Sequence, residues 1–277
     1  MIFLKKLIKK LRRIIINTLK SSRKLKRIIR KFNIGSFAFR MEINALKRMP
    51  YAYICFNAAK LAKKLGYEKI SVIEYGVGEG SGLLSLEVYT EEIKKILGVQ
   101  IDIYGFDTGQ GLPEPVDYRD LPYHWKKGFF SMNKNDLLKK LKKTKLIIGN
   151  IQETSKTFFS NYKPAPIGAV IHDFDFYSPT KIALSMMEGN TNFFLPRVFS
   201  YFDDTIGNDI ELFNDYTGER LAINEFNSNN ADTKISTPYH FLAQFKETWH
   251  HQIWIIHFFK HSKYNLFISQ DNPKLPI

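Results

Sequence analysis

Length, composition and charge exclude several classes of protein. The chain has 277 residues, 44% hydrophobic and 25% charged, with a net charge of +14, which is typical of a globular protein with a sizeable core rather than a disordered one. A single cysteine, Cys55, excludes an internal disulfide and a cysteine-based zinc site, as expected in a reducing compartment.

The basic excess lies entirely in the N-terminal segment. Residues 1–40 contain fourteen Lys and Arg and no Asp or Glu, so that 27 bases and 27 acids remain in the rest of the chain. Apolar residues in this segment recur at helical spacing, namely Leu4, Leu7, Ile8, Leu11, Ile15 and Leu19. We therefore predict a basic amphipathic arm over residues 1–40 and a neutral domain over residues 41–277.

A basic amphipathic helix of this kind suits the surface of an anionic membrane. No stretch approaches the ~18 apolar residues that span a bilayer, and lysines and arginines interrupt any signal-peptide core. A protein partner or a solvated helix is the second interpretation, and nucleic acid ranks last. We predict a cytoplasmic protein, peripheral to the inner face of the membrane, and we find no signal for an oligomeric state.

From residue 41 onward, apolar strands alternate with helices. A helix over Ala45–Leu65 is predicted to end near Gly66. Strands are predicted at Ile70–Glu74, Ile101–Phe106, Leu146–Ile148, Ile167–His172 and Val198–Phe202, and helices at Leu83–Leu97, Asn135–Lys142, Glu153–Tyr162 and Pro179–Glu188. A closing antiparallel pair is predicted at Ile253–Phe259 and Asn265–Ser269. This alternation predicts one Rossmann-like α/β domain, with a mostly parallel sheet and helices on both faces.

A glycine-rich loop follows the first predicted strand. In Glu74-Tyr-Gly76-Val-Gly78-Glu-Gly80 the glycines allow a tight turn and a close approach to a ligand, and the following helix favours an anionic group. No G-K-[ST] follows, which excludes a P-loop. Asp107, at the tip of the second strand, can accept hydrogen bonds from ribose hydroxyls. An ordinary tight turn is the structural alternative, and Glu74 favours S-adenosylmethionine over NAD.

Several ordered blocks resemble the macrocin O-methyltransferase family. They are Gly105-Phe-Asp107-Thr108-Gly-Gln-Gly111-Leu112-Pro113-Glu114, Trp125-Lys-Lys-Gly128-Phe129, His172-Asp173-Phe-Asp175-Phe-Tyr177-Ser178-Pro-Thr180, Tyr201-Phe-Asp203-Asp204 and Gly218-Glu-Arg-Leu-Ala222-Ile-Asn-Glu225-Phe226. The resemblance implies a class I S-adenosylmethionine-dependent methyltransferase of sugar hydroxyls, commonly with a divalent metal. It implies donor contacts by Asp107, Thr108, Asn150 and Ile151, and metal ligation by Asp173, Asp203 and Asp204.

The same carboxylates indicate how an acceptor hydroxyl would be activated. Three carboxylates at the ends of adjacent strands suit Mg²⁺, a hard ion that would bind the acceptor and lower the pKa of one hydroxyl. Asp173, or His172 beside it, would then take the proton. The structural alternative is that Asp173 or Asp175 supports the start of a helix with Ser178 at its N-cap and Pro179 in its first turn, and that Asp203-Asp204 is a solvated loop.

We therefore predict an O-methyltransferase that uses S-adenosyl-L-methionine, with Mg²⁺, to modify a hydroxyl of a sugar or glycosylated metabolite. The acceptor is expected to be a small molecule or a glycan. The alternatives are an NAD-dependent oxidoreductase, a catalytically silent domain with this fold, and an RNA methyltransferase guided by the arm. A loop after Pro113 either covers a sugar ring or packs on the domain through its aromatic residues, which are Tyr118, Tyr123, His124 and Trp125.

Overall fold

The computed structural model of the protein describes residues 2–243 and 247–269. Of residues 2–6, 8, 9 and 13 it describes the backbone alone. The chain divides into two compact units, Met1–Tyr53 and Ile54–Ile277. Helix α4 (Met49–Lys64) contains the boundary between them and confirms the predicted helix, which ends one residue earlier than expected.

The first unit is helical, as predicted for the arm. Its helices are α1 (Ile2–Ser21), α2 (Arg23–Lys31) and α3 (Phe37–Glu42). Ser22 separates α1 from α2, because its hydroxyl oxygen accepts the N–H of Leu25 and caps the second helix. The unit has a small core of its own, which contains Ile16, Ile29, Ile43 and Ala45, with Leu19 and Phe39 packed against it.

The predicted apolar stripe of α1 is divided between two sides of the helix. Leu19 is half-buried against the small core, whereas Leu7, Leu11 and Ile15 are exposed. The side chains of Leu4 and Ile8, also assigned to this stripe, lie outside the described part of the chain. The helix therefore has a second apolar side that nothing in the first unit covers, within the side chains that the structure describes.

The second unit is built on one mixed sheet. Within residues 2–243 and 247–269 its strands are β1 (Lys69–Tyr75), β2 (Gln100–Asp107), β3 (Lys145–Ile148), β4 (Ile167–His172), β5 (Phe194–Phe202), β6 (Thr233–Ser236) and β7 (Ile253–Phe258). Their order is β3-β2-β1-β4-β5-β7-β6, and β7 runs antiparallel to both of its neighbours. The Rossmann-like, mostly parallel sheet with a C-terminal antiparallel pair is thereby confirmed.

The partner of β7 differs from the predicted one. The segment Asn265–Ser269 forms turns rather than a strand, and Leu266 and Phe267 are exposed. The strand beside β7 is β6, which pairs Ile235 with Ile256. β6 was not predicted, because its four residues contain one buried side chain and show no usable period.

Helices cover both faces of the sheet. They are α5 (Ser81–Leu97), α6 (Lys134–Lys140), α7 (Ile151–Tyr162), α8 (Tyr177–Ser185), α9 (Gly218–Asn229) and α10 (Tyr239–Leu242). Helices α5 to α8 were predicted, and the largely polar α9 was not. None of the helices in the described residues is long and apolar enough to cross a membrane.

The strand register explains which helix covers which face. Tyr75 pairs with Phe106, and these aromatic residues belong to a core that includes apolar residues of α7, α8 and α9. The alternate residues, Glu74 and Gly105, point to the other face, where Leu83 of α5 lies against Gly105. Strand β1 is thus buried on both sides, and its carboxyl end is placed in the middle of the sheet.

Candidate active site

The carboxyl ends of four adjacent strands meet at one edge of the sheet. The N–H of Gly76 donates to Phe106 O (3.0 Å), that of Asp173 donates to Tyr75 O (3.1 Å), and that of Gly149 donates to Asp107 O (2.9 Å). These bonds join the loops that follow β1, β2, β3 and β4. The predicted donor and acid residues, which are far apart in the sequence, therefore lie side by side at the topological switch point between β1 and β4.

The glycine loop after β1 has room for a ligand at one position. Gly76 has a φ of +74°, and a side chain there would lie 1.7 Å from the carbonyl oxygen of Asp173, so that only glycine lets the ends of β1 and β4 approach. Gly78 also has a positive φ, +52°, but a Cβ would meet only Phe130 O, 4.0 Å away. The loop is thus tight at its base and open at Gly78.

The carboxylate of Asp107 holds this loop. Its Oδ2 accepts the N–H groups of Val77 (2.9 Å) and Gly78 (3.0 Å), and its Oδ1 accepts the N–H of Gly109 (2.6 Å). These bonds use three of the roughly four acceptor positions of a carboxylate. Contact with a ribose hydroxyl remains a prediction, and in the structure the same side chain shapes the loop that would surround the donor.

Glu74 and Gly80 lie behind the loop rather than on its open side. Glu74 is buried, and its Oε1 lies 1.8 Å from where a Cβ on Gly82 would stand, in the first turn of α5. A carboxylate at a helix N-terminus is favoured by the helix dipole. Gly80 is the N-cap of α5 and packs against Leu137. Both residues therefore stabilise the junction between the loop and its helix.

The other predicted donor residues form turns at the same edge. Thr108 Oγ1 donates to Gly111 O (2.8 Å), which closes the turn after β2. Asn150 is the N-cap of α7, with its side-chain oxygen accepting the N–H of Gln152 (2.9 Å), and Ile151 is buried. Their contact with ribose and adenine stays a prediction, and their position beside Asp107 is compatible with it.

His172 is enclosed in the core at the end of β4. Its ring stacks on Phe202 at a centroid distance of 4.1 Å and lies close to Tyr75, and no hydrogen bond to either ring nitrogen is found among the described residues. Burial lowers the pKa of His172 from 6.5 to about 3, so the ring is neutral at pH 7. A fully buried ring does not reach an acceptor hydroxyl, and these surroundings do not support its predicted role as a proton acceptor.

The predicted aspartates after β4 and β5 come together with further carboxylates. Asp204 Oδ2 accepts the N–H of Asp175 (2.9 Å), and the N–H of Asp204 donates to Glu219 Oε2 (3.0 Å). The carboxylate of Asp203 accepts the hydroxyl of Tyr201. We call Asp173, Asp175, Asp203, Asp204 and Glu219 the acidic cluster.

Crowding of carboxylates in a buried place favours their protonated forms. Burial first, and then the charge of Asp203, raises the pKa of Asp175 to about 7. The pKa values of Asp204 and Glu219 are raised well above their usual range, again by burial first and by neighbouring carboxylates. Burial therefore favours the protonated forms of Asp204 and Glu219, whereas Asp173 and Asp203 are half-buried at the outer side of the cluster.

The geometry does not support the predicted magnesium site. Within residues 2–243 and 247–269, no group of three or more His, Cys, Asp or Glu side chains is arranged to hold a metal ion. Asp204 uses Oδ2 for the N–H of Asp175, and Asp203 binds the hydroxyl of Tyr201. These oxygens already accept hydrogen bonds from the protein, so the reaction proposed below uses no metal ion.

The long loop after β2 folds back on itself beside the glycine loop. The N–H of Leu112 donates to Phe129 O (2.8 Å), and the N–H of Gly128 donates to Leu112 O (2.9 Å), which joins two of the family-like blocks. Trp125 is buried in a small core with Leu121 and Phe176, so it packs the loop. Tyr118 and Tyr123, by contrast, are exposed, as contact with an acceptor would require.

A carboxylate from this loop begins α8. Asp120 is buried, and it accepts the N–H (2.8 Å) and the hydroxyl (2.5 Å) of Ser178. The interpretation of Ser178 as the N-cap is wrong, because α8 starts at Tyr177 and Phe176 occupies the cap position. Phe176 has no side-chain acceptor, so Asp120 supplies one from elsewhere in the chain.

Sequence reasoning missed Asp120 and Glu219, which both take part in the site's architecture. Glu219 lies in the family-like block that begins at Gly218, but an isolated Glu in the first turn of a helix is ordinarily exposed. Only a tertiary contact identifies it, because its burial depends on the loop that contains Asp204.

The fold is similar to that of solved methyltransferases. A crystal structure of CalS11, a calicheamicin methyltransferase, superposes with a TM-score of 0.50 at 17% identity, over 74% of this chain and 85% of that one. Weaker likenesses, which support no conclusion, are an apo structure of CalS11 described as a TDP-rhamnose 3'-O-methyltransferase (TM-score 0.40, 18% identity, 74% and 86% covered) and the plantazolicin methyltransferase BamL with S-adenosylhomocysteine (0.40, 11%, 88% and 98%). No protein-family profile and no curated protein matches the chain.

At this level of identity the likeness establishes the fold and not the reaction. The chain has the Rossmann-like fold of a class I methyltransferase, in agreement with the sheet order. Membership of the macrocin O-methyltransferase family stays a resemblance.

Proposed function

We propose that the protein is an S-adenosylmethionine-dependent O-methyltransferase that modifies a hydroxyl of a sugar or glycosylated metabolite. The methyltransferase fold supports the general reaction class. The blocks that resemble macrocin O-methyltransferases support the acceptor class. The proposal rests most directly on the way Asp107 occupies the glycine loop.

The hydrogen bonds made by the N–H groups of the glycine loop distinguish an S-adenosylmethionine site from an NAD site. An NAD-binding loop presents free N–H groups and a helix N-terminus to a pyrophosphate, which carries negative charge. Here the N–H groups of Val77 and Gly78 are bound by the Asp107 carboxylate, and Glu74 adds a second carboxylate beneath the loop. This surrounding repels a pyrophosphate and favours a cationic ligand such as a sulfonium with an ammonium tail.

The residues at this edge would hold the donor as follows. Gly78 leaves open space beside the backbone, Asp107 has about one acceptor position left for a ribose hydroxyl, and Asn150 and Ile151 lie at the start of the next helix. S-adenosylmethionine, when bound, supplies a methyl group on a sulfonium leaving group, so no covalent enzyme intermediate is needed. The chain has to align the acceptor oxygen and take its proton.

Asp173 is the group best placed to take that proton. It follows β4 directly, its backbone touches the base of the glycine loop, and it is half-buried on the outer side of the acidic cluster. Asp204 and Glu219 are buried deeper in the cluster and are less accessible to an acceptor hydroxyl. Asp173 therefore replaces His172 as our single candidate for the general base.

Calorimetric titration tests the donor assignment. The wild-type protein should bind S-adenosylmethionine and S-adenosylhomocysteine and should not bind NADH. Asp107→Ala should weaken the binding of S-adenosylhomocysteine by about tenfold or more, because the loop loses three hydrogen bonds and the donor loses a ribose contact. Asp102→Ala is the matched control, since Asp102 lies at the start of the same strand, where it pairs with Lys69 (2.7 Å).

Binding of NADH without the methyl donor would replace this proposal by the oxidoreductase alternative. Equal donor affinity in Asp107→Ala and Asp102→Ala would show that the ribose assignment is wrong. TDP-rhamnose is a suitable first acceptor for measuring the release of S-adenosylhomocysteine. Full donor binding without turnover on any hydroxylated acceptor would identify a catalytically silent domain.

A further inference from the structure

The first unit, Met1–Tyr53, presents an apolar side that its own core does not use. On α1, Leu7, Leu11, Ile14 and Ile15 lie at positions i, i+4, i+7 and i+8, which is one face of a helix. Leu11 is 50% exposed and Ile15 is 57% exposed, whereas Ile16, on the opposite side of the helix, is buried. Exposed apolar residues concentrated on one helix face indicate a surface that binds something apolar.

Helix α2 also exposes apolar side chains, although its buried residue, Ile29, lies on the same side of the helix as Leu25. Leu25, Ile28 and the residue after the helix, Phe32, lie at positions i, i+3 and i+7 and are exposed, with Phe32 at 64%. Ile29 is buried in the unit's small core. Each of the two helices therefore uses one or two apolar residues for the fold and leaves a longer apolar row in solvent.

Exposed bases flank both apolar rows, namely Lys10 and Arg12 on α1 and Lys24 and Lys31 on α2. On α2 the bases Arg23, Lys24, Arg27, Arg30 and Lys31 are exposed, and residues 1–40 contain no Asp or Glu. The acidic partner in this region that the described side chains show is Glu42, which pairs with Arg12 (2.8 Å). The surface therefore attracts negative charge at the same place where it exposes apolar side chains.

We propose that this surface docks the protein on an anionic lipid bilayer, with the rows of α1 and α2 inserted among the acyl chains and the bases against the headgroups. An anionic bilayer provides both of the features that the surface matches, namely a negatively charged plane and an apolar layer beneath it. A nucleic acid provides the negative charge but has no apolar layer for seven exposed aliphatic and aromatic side chains.

Vesicle flotation with the full chain tests this inference. Vesicles of phosphatidylcholine alone are compared with an equal mixture of phosphatidylcholine and phosphatidylglycerol at about 150 mM salt. The wild-type protein should float with the mixed vesicles only. The double variant Leu11→Gln/Ile15→Gln keeps the charge and should bind about tenfold more weakly or worse, because two inserted side chains are lost.

The matched control is Val88→Gln/Ile96→Gln. These residues are 59% and 44% exposed on α5 of the other unit, and their replacement should leave vesicle binding unchanged. A double variant, Lys24→Gln/Lys31→Gln, should weaken the preference for phosphatidylglycerol. Circular dichroism of each variant shows whether its helices are retained.

Two outcomes would overturn the inference. The wild-type protein would fail to float with mixed vesicles, or the Leu11/Ile15 variant would bind them as the wild type does. If the protein binds a random single-stranded RNA with strong salt dependence and ignores the vesicles, the basic surface serves nucleic acid instead. Vesicle binding does not depend on donor binding, so failure here leaves the proposed methyl transfer intact.

Discussion

The carboxylates at the carboxyl edge of the sheet differ in how accessible they are to a ligand, because they are buried to different extents. Asp107 is half-buried and uses its oxygens for the N–H groups of Val77 and Gly78. Asp204 is buried, and burial together with neighbouring carboxylates raises its pKa. Asp173 combines a half-buried position with contact to the glycine loop. A group that accepts a proton from a ligand has to be reachable, and Asp173, half-buried beside the glycine loop, meets this requirement better than the buried Asp204.

Replacing this residue separates chemistry from binding. Asp173→Asn should lower kcat by about 100-fold or more, while the affinity for S-adenosylhomocysteine stays within about twofold. The amide keeps the size of the side chain but cannot accept a proton from a hydroxyl. The exposed Asp209→Asn, on the loop after β5, is the control and should retain wild-type kcat. Retained kcat in Asp173→Asn would remove Asp173 from the mechanism.

At the scale of elements, the long loop after β2 and helix α8 depend on each other. The loop lacks regular structure over most of its length, and its folded form is held by Trp125 and by Asp120. Helix α8 has no cap of its own, since Phe176 stands at the N-cap. The bond from Ser178 to Asp120 therefore both fixes the loop and satisfies the helix N-terminus, directly after the Asp173–Asp175 segment.

Loss of the hydrogen bonds between Ser178 and Asp120 should lower the stability of the fold. Asp120→Ala should lower the free energy of unfolding by about 1–3 kcal/mol, because it removes a buried carboxylate that accepts the N–H groups of Val116 and Ser178 and the hydroxyl of Ser178. Urea denaturation followed by circular dichroism measures this change. Asp209→Ala is again the control and should change stability by less than about 0.5 kcal/mol. A similar small change in both variants would contradict the capping role.

At the scale of the whole molecule, the core contains a titratable ring at the centre of its sheet. His172 is stacked on Phe202 of β5 and lies close to Tyr75 of β1. Its folded pKa of about 3 lies below the unfolded value of 6.5. Below pH 6.5 the unfolded chain therefore binds a proton at His172 that the folded chain does not bind. The contribution of the neutral ring to the free energy of unfolding is complete above pH 6.5 and declines as the pH falls toward 3.

His172→Leu should remove this acid sensitivity. In the wild-type protein, protonation of His172 in the unfolded chain should lower the free energy of unfolding by about 2 kcal/mol between pH 8 and pH 5. The variant should lack that decrease. The measurement is the free energy of unfolding at both pH values. Comparing the pH difference, rather than stability at one pH, cancels the packing change that the substitution introduces. The same pH difference in both proteins would contradict the assignment.

The sequence by itself determined the repeating elements and the glycine loop at the carboxyl end of β1. Strands such as Ile167–His172 are continuous apolar runs because they are buried on both faces, and the glycine loop before α5 follows from its need for positive φ at Gly76. The edge position of Asp107 follows from strand length alone. Local patterns of this kind have causes within the segment itself, so they can be recognised without knowing which other segments pack against it.

The tertiary structure decided what local patterns do not encode. Whether a carboxylate is exposed or buried depends on the segments packed around it, which is why Glu219 and Asp120 were missed. The burial of His172 was likewise not visible in the sequence. The strand next to β7 is Thr233–Ser236 rather than Asn265–Ser269, since pairing is chosen by hydrogen bonds across the sheet. Burial and pairing are properties of distant residues brought together, and only the fold specifies them.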